Sequence, residues 1–121
     1  IMVGVLIDAC GWVSVVDAGL NLDISLGAVV GATELKITDG VKSELDSLNK
    51  KRSSLLLDLL YRRAEVVKSE ERHTDDALLE LSKKNSWPIL TVDRDLKRRV
   101  IENRGRYIEV TSGGSLRLIG P

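Results

Sequence analysis

The chain has 121 residues with 18 basic and 18 acidic side chains, so its formal charge is zero and neither marks nor excludes a polyanionic partner. A single cysteine excludes an internal disulfide and any all-cysteine metal site, and it suits a reducing cytoplasm. Hydrophobic residues make up 43% with no phenylalanine, and no apolar run approaches the roughly 20 residues of a bilayer span; one globular domain over residues 1–121, with a Leu, Val and Ile core and no membrane segment, is expected.

The opening "IMVGVLIDAC" is too short, and too soon followed by acid, to act as a secretion signal. Its "MVGVLI" portion reads as a buried parallel strand ending at Asp8. Cys10 reads as a small buried hydrophobe. "GWVSVVDAG" predicts a short helix closed by Gly19, and residues 21–33 a helix interrupted by glycines. "ELKIT" is a second strand. Thr38 or Asp39 then caps a helix over "DGVKSELDSL", and "KRSSLLLDLLYRRA" predicts another helix with a leucine stripe. "AEVVK" is a third strand and "SEERHTDD" a polar loop, with Thr74 as the expected cap of the helix "DDALLELSKKN". "WPILTV" is a fourth strand that tolerates Pro88 at its start. "DRDLKRRVIENRG" reads as a helix ending at Gly105, "RYIEV" as a fifth strand, and "SLRLIG" as a small edge strand after the Gly113-Gly114 turn. This alternation predicts a three-layer α/β fold around a mainly parallel, five-stranded sheet.

Open α/β sheets bind ligands just beyond the carboxyl ends of their strands. Asp8 and Asp93 each follow a strand directly, and Asp76 opens the helix after the third, so all three are expected on one rim. Taken singly, such residues are ordinary turn or cap acids. Glu44 shifts the balance, because it falls between Val41, Leu45 and Leu48 on the apolar stripe of its helix. A carboxylate there needs a partner, either a buried Arg or Lys or a metal ion. Crowded carboxylates repel one another unless a cation joins them, and all-oxygen donors suit Mg²⁺ or Mn²⁺. His73, the one histidine, reads as a loop residue and cannot build a His-rich zinc site. Metal held by carboxylates is equipment for phosphodiester cleavage without a Ser, Cys or Lys nucleophile.

The segments "VLIDAC", "ITDGVKSEL", "TDDALLEL" and "ILTVDRDLKRRV" resemble, in order and spacing, the PIN-domain nuclease family. The last two are most similar to its ribosomal-RNA-processing, small-subunit-processome branch. The resemblance implies an α/β/α sandwich and an Mg²⁺- or Mn²⁺-dependent endoribonuclease cutting single-stranded RNA, with pre-ribosomal RNA as the substrate class. It places the four catalytic and metal-holding acids on Asp8, Glu44, Asp76 and Asp93. Asp75 and Asp95 are implied as helpers, and Thr91 as a hydroxyl supporting the metal ligands. Directly after Asp8 the family usually has Thr and then Asn or Ser, whereas this chain has Ala9 and Cys10. The loss of those polar groups raises a second reading, a catalytically weak PIN domain serving as an RNA-binding or assembly module. A third is the toxin ribonuclease of a toxin–antitoxin pair, which uses the same acids on other RNAs. Homodimers or protein partners are consistent with the family.

Basic residues gather beside the acids. Arg72 precedes Asp76, and Arg94, Lys97 and Arg98 follow Asp93, with Leu96, Val100 and Ile101 expected on the inner face of that helix. The four cations are expected to contact RNA phosphates. With aromatics at 3%, base stacking is expected to matter only where Trp12 or Tyr107 is exposed.

Overall fold

Short segments rich in Val, Ile and Leu form the strands, and longer amphipathic segments the helices. In the computed structural model, which describes residues 2–52 and 54–121, these are β1 (Val3–Ile7), α1 (Ala9–Asp17), α2 (Leu22–Val30), β2 (Thr33–Thr38), α3 (Asp39–Arg52), α4 (Leu55–Tyr61), β3 (Glu65–Val67), α5 (Thr74–Asn85), β4 (Ile89–Leu90), α6 (Arg94–Glu102), β5 (Tyr107–Val110) and β6 (Leu116–Ile119). The sheet order is β3-β2-β1-β4-β5-β6, with parallel pairing from β3 to β5 and antiparallel pairing of β5 with β6. The sheet therefore has six strands rather than five. A tight turn through Gly114 (φ 77°) lets the last strand fold straight back on β5.

β1 is central, and Val5, Leu6 and Ile7 are wholly buried, as a strand covered on both faces requires. Helices α1, α3 and α4 contact one another, while α5 and α6 pair separately; α2 reaches both β2 and β6. The core is Leu, Val and Ile with Trp12 and Tyr61. Trp12 is fully buried, so it is not available for base stacking, and Tyr107 is half-buried beneath the Lys97 ammonium.

Several helix boundaries have a local chemical cause. The Thr38 hydroxyl, not Asp39, accepts the Val41 N–H at 3.2 Å and starts α3. The long helix expected from Lys51 onward divides instead. Lys51 ends up within α3, and a separate helix starts at α4, where the Ser54 hydroxyl accepts the Leu57 N–H. Ser53, expected inside that helix, lies outside the described residues. Asp46 accepts a hydrogen bond from the Tyr61 hydroxyl and so ties α3 to α4. Helix α6 ends earlier than expected. Arg104 takes the left-handed conformation (φ 60°), its N–H donating to Ile101 O and the Gly105 N–H to Val100 O. Ile101 is 42% exposed, since only Leu96 and Val100 lie on the stripe that meets the sheet.

Glu109 on β5 is a half-buried junction that joins Lys97 of α6, at 3.3 Å, with Arg117 of β6. Arg117, and then Lys97, hold its carboxyl below the usual range. A depressed carboxylate contributes stability above its unfolded pKa of about 4.3, and that stability is lost as the pH falls through the folded value. Glu109→Gln is therefore expected to cost about 1–2 kcal/mol at neutral pH. The two proteins should converge in denaturant titrations carried out well below pH ~4. A gap of the same size at both pH values would assign the loss to packing instead.

Candidate active site

The carboxyl ends of β1 and β4 meet at the centre of the sheet, where the chain leaves them for α1 and α6. Asp8 follows β1 directly, whereas β4 stops at Leu90 and Asp93 comes three residues later; each Asp caps the next helix. Asp8 Oδ1 accepts the Gly11 N–H at 2.8 Å, and Asp93 Oδ1 accepts the Leu96 N–H at 3.0 Å. Thr91 connects the two. Its buried hydroxyl donates to Asp8 Oδ2 at 2.5 Å and accepts the Asp93 N–H at 3.0 Å. Two acids separated by most of the chain are thus held by one side chain.

These residues border an open cavity of about 660 Å³. Glu44 from α3 and Asp75 from α5 also line it, as do Cys10, Ser14 and Asp17 from α1. Five carboxylates surround the cavity, and among the described residues no Lys or Arg lines it. Burial pushes the Asp8 carboxyl up, against the hydrogen bonds from Thr91, Cys10 and Gly11. Burial, and then the charge of Asp93, push Asp75 up, against the pull of Arg99. The site therefore disfavours its own full ionisation, which an added cation would relieve.

The expected residues are not all brought together. Asp8, Glu44, Asp75 and Asp93 share the cavity. Asp76 does not; it forms an ion pair with Arg99 at 2.6 Å in a neighbouring groove, and Arg99 holds its carboxyl low. One helical step of about 100° separates adjacent residues, so the acid facing the cavity is Asp75. Glu44 is exposed at the cavity mouth rather than turned into the core, and its partner is the Thr74 hydroxyl at 3.1 Å. Thr74 is the first residue of α5 rather than its cap, and the preceding His73, at the cap position, makes no side-chain cap bond. Asp95 faces outward and pairs with Arg98 at 2.6 Å.

Cys10 is half-buried, and its thiol donates to Asp8 Oδ2 at 3.1 Å. Burial and the Asp8 charge push the thiol pKa up, so it remains a protonated donor. Asp17 and Ser14 were not anticipated. The signal for them was present, since Cys10, Val13, Ser14 and Asp17 fall at i, i+3, i+4 and i+7 on one helical face.

The surrounding cations are mostly engaged. Lys97 turns to Glu109 rather than outward, and Arg98 bridges Asp95 and Glu102 at 2.6 Å each. Arg72 and Arg94 are exposed.

Among the described residues no three Asp, Glu, His or Cys side chains are close enough to hold one ion together. The charged donors at the cavity are nonetheless all carboxylate oxygens, and among the described residues no Lys or Arg joins them in its lining. This set fits a hard cation bound through one or two carboxylates and water.

No curated protein sequence matches the chain. Among solved structures, the PIN domain endonuclease Utp24 superposes with a TM-score of 0.77 at 20% identity, over 98% of this chain and 92% of that one. PAE2754 from Pyrobaculum aerophilum superposes with a TM-score of 0.57 at 14% identity, over 80% and 79%. At such identities these likenesses establish a shared fold. Residues 5–112 match the sequence model of the PIN-like domain, and the chain belongs to that family.

Proposed function

We propose that the chain is a divalent-cation-dependent endoribonuclease that cuts single-stranded RNA at the cavity bordered by Asp8, Glu44, Asp75 and Asp93. The observation that supports this reading most is the gathering of five carboxylates around one open cavity whose lining, among the described residues, contains no basic residue. Asp8, Asp75 and Asp93 would hold Mg²⁺ or Mn²⁺, with Glu44 at the mouth. When bound, such a cation neutralises the phosphate and lowers the pKa of water for in-line attack. Thr91 orients Asp8 and fixes the start of the Asp93 cap, so both carboxylates keep their place when RNA enters. Arg72 and Arg94, exposed near the two sides of the rim, would contact RNA phosphates; Lys97 and Arg98 would do so only by giving up their acidic partners. The "TDDALLEL" and "TVDRDLKRR" segments favour pre-ribosomal RNA as the substrate class. Among the described residues no single helix is long and apolar enough to cross a membrane.

The test is incubation of end-labelled single-stranded RNA with Mn²⁺ and either the parent or Asp93→Asn. The parent should cut, and the variant should be slower by at least about a hundredfold. Equal cleavage by both, or none by either at high enzyme, overturns the reading. A second reading, a catalytically weak RNA-binding or assembly module, draws support from Asp8 Oδ2, which already accepts from both Thr91 and Cys10. It predicts RNA binding without cleavage.

A further inference from the structure

At the opposite rim, where β4 and β5 begin, lies a smaller pocket of about 160 Å³. Lys83, Arg104 and Arg106 line it together with Ser86, Trp87 and Asn103, and among the described residues no Asp or Glu does. Lys83 and Arg104 make no side-chain hydrogen bond or ion pair among the described residues, and Arg106 reaches only the Ser86 carbonyl, at 3.3 Å. This contrasts with α6, where Lys97, Arg98 and Arg99 are each paired with acids.

The backbone singles out the same pocket. Ser86 (φ 57°) and Arg104 (φ 60°) are the two non-glycine residues with positive φ among the described residues, and both line it. The left-handed position after a helix is one that glycine fills without strain. Here glycine stands one place later, at Gly105, and an arginine holds the strained position instead. Beside the pocket, Gly120 packs so close to the lining residue Gly105 that a Cβ there would sit 2.8 Å from the Gly105 carbonyl. Cations with no acidic partner among the described residues, indole surface and strain kept at an arginine coincide in one small concavity. Strain retained against an available alternative points to a site.

We infer that this pocket binds a phosphate ester, its charge met by Lys83, Arg104 and Arg106. The group could be carried by a free nucleotide or lie within an RNA strand, and both present the same chemistry. The pocket is separate from the acidic cavity, so its occupancy does not depend on cleavage. α6 alone, nine residues long, sets the two about 14 Å apart.

The test is a titration of the ¹⁵N-labelled chain, in EDTA, with inorganic phosphate, with uridine monophosphate and with oligouridylate. The Gly105, Arg106 and Ser86 amides should shift and saturate. Response to the monophosphate assigns a free nucleotide, and response to the oligomer alone assigns RNA; each supports the site. Arg104→Gly and Lys83→Ala should each weaken binding at least about threefold and flatten its dependence on salt. Arg104→Gly should melt no lower than the parent, because glycine relieves the left-handed strain. Silence of these amides toward all three probes, or unchanged affinity in Arg104→Gly, overturns the inference. Loss of RNA cleavage through Asp93→Asn would leave it untouched.

Discussion

Replacing Asp8 by Asn is expected to lower RNA cleavage by at least about a hundredfold while leaving the folded state nearly as stable. The reasoning separates the two carboxylate oxygens. Oδ1 accepts the Gly11 N–H, and an Asn carbonyl performs the same capping role. Oδ2 accepts from Thr91 and Cys10, and the carboxylate as a whole brings a negative charge to the cavity it borders. An amide nitrogen there is neutral and donates, so the Thr91 hydroxyl must turn to accept from it. The result is a site with one charge fewer and a misdirected hydroxyl on an intact scaffold. Cleavage rates under Mn²⁺, read beside thermal melts, distinguish this from unfolding. Full activity in Asp8→Asn would remove Asp8 from the chemistry.

Gly11→Ala should act on the scaffold itself. A Cβ at this position would lie 2.5 Å from the Leu90 carbonyl oxygen and 2.8 Å from Asp8 Oδ1. Neither can yield cheaply, since one is strand backbone and the other is the cap of α1. Helix α1 must move off β4, which separates Asp8 from Thr91. We expect a loss near the upper end of the about 1–3 kcal/mol typical of overpacked cores, together with loss of cleavage. Gly27→Ala is the control. It lies in α2, where an added methyl group would meet nothing within 4 Å, and should stabilise by about 0.5–1 kcal/mol. Equal melting temperatures for Gly11→Ala and the parent would contradict the close approach of α1 to β4.

The site is only partly legible in the sequence. Asp8 and Asp93 were legible because each ends an apolar run, and a parallel sheet puts such ends on one rim. The strands and most helices followed from the same periodicity. The choice between Asp75 and Asp76 was not legible. Neighbours on a helix point about 100° apart, so their roles depend on how α5 is rotated against the sheet. That rotation comes from tertiary packing of Ala77, Leu78 and Leu81. Glu44 lies at the margin of its apolar stripe, where helical spacing alone does not separate buried from exposed. The cations of α6 looked available because two of their acidic partners, Asp76 and Glu109, come from other elements. Cys10 was read by residue type, and its role follows from where Asp8 and Thr91 bring their oxygens.

The hydrogen bond from Thr91 to Asp8 joins residues 83 positions apart, across neighbouring strands that are remote in the chain. Contacts of such separation form late, because the intervening loop must close before they are rewarded. During synthesis from the N-terminus, Asp8, Asp17, Glu44 and Asp75 emerge first, with no β4 to complete the rim. A growing chain therefore exposes most of its acids while lacking the strand that aligns them. On the function proposed above, the domain becomes competent to cut only once β4 has been made and has slotted in beside β1. A nascent RNA-cleaving enzyme would in this way be kept harmless to the ribosome and messenger that are producing it.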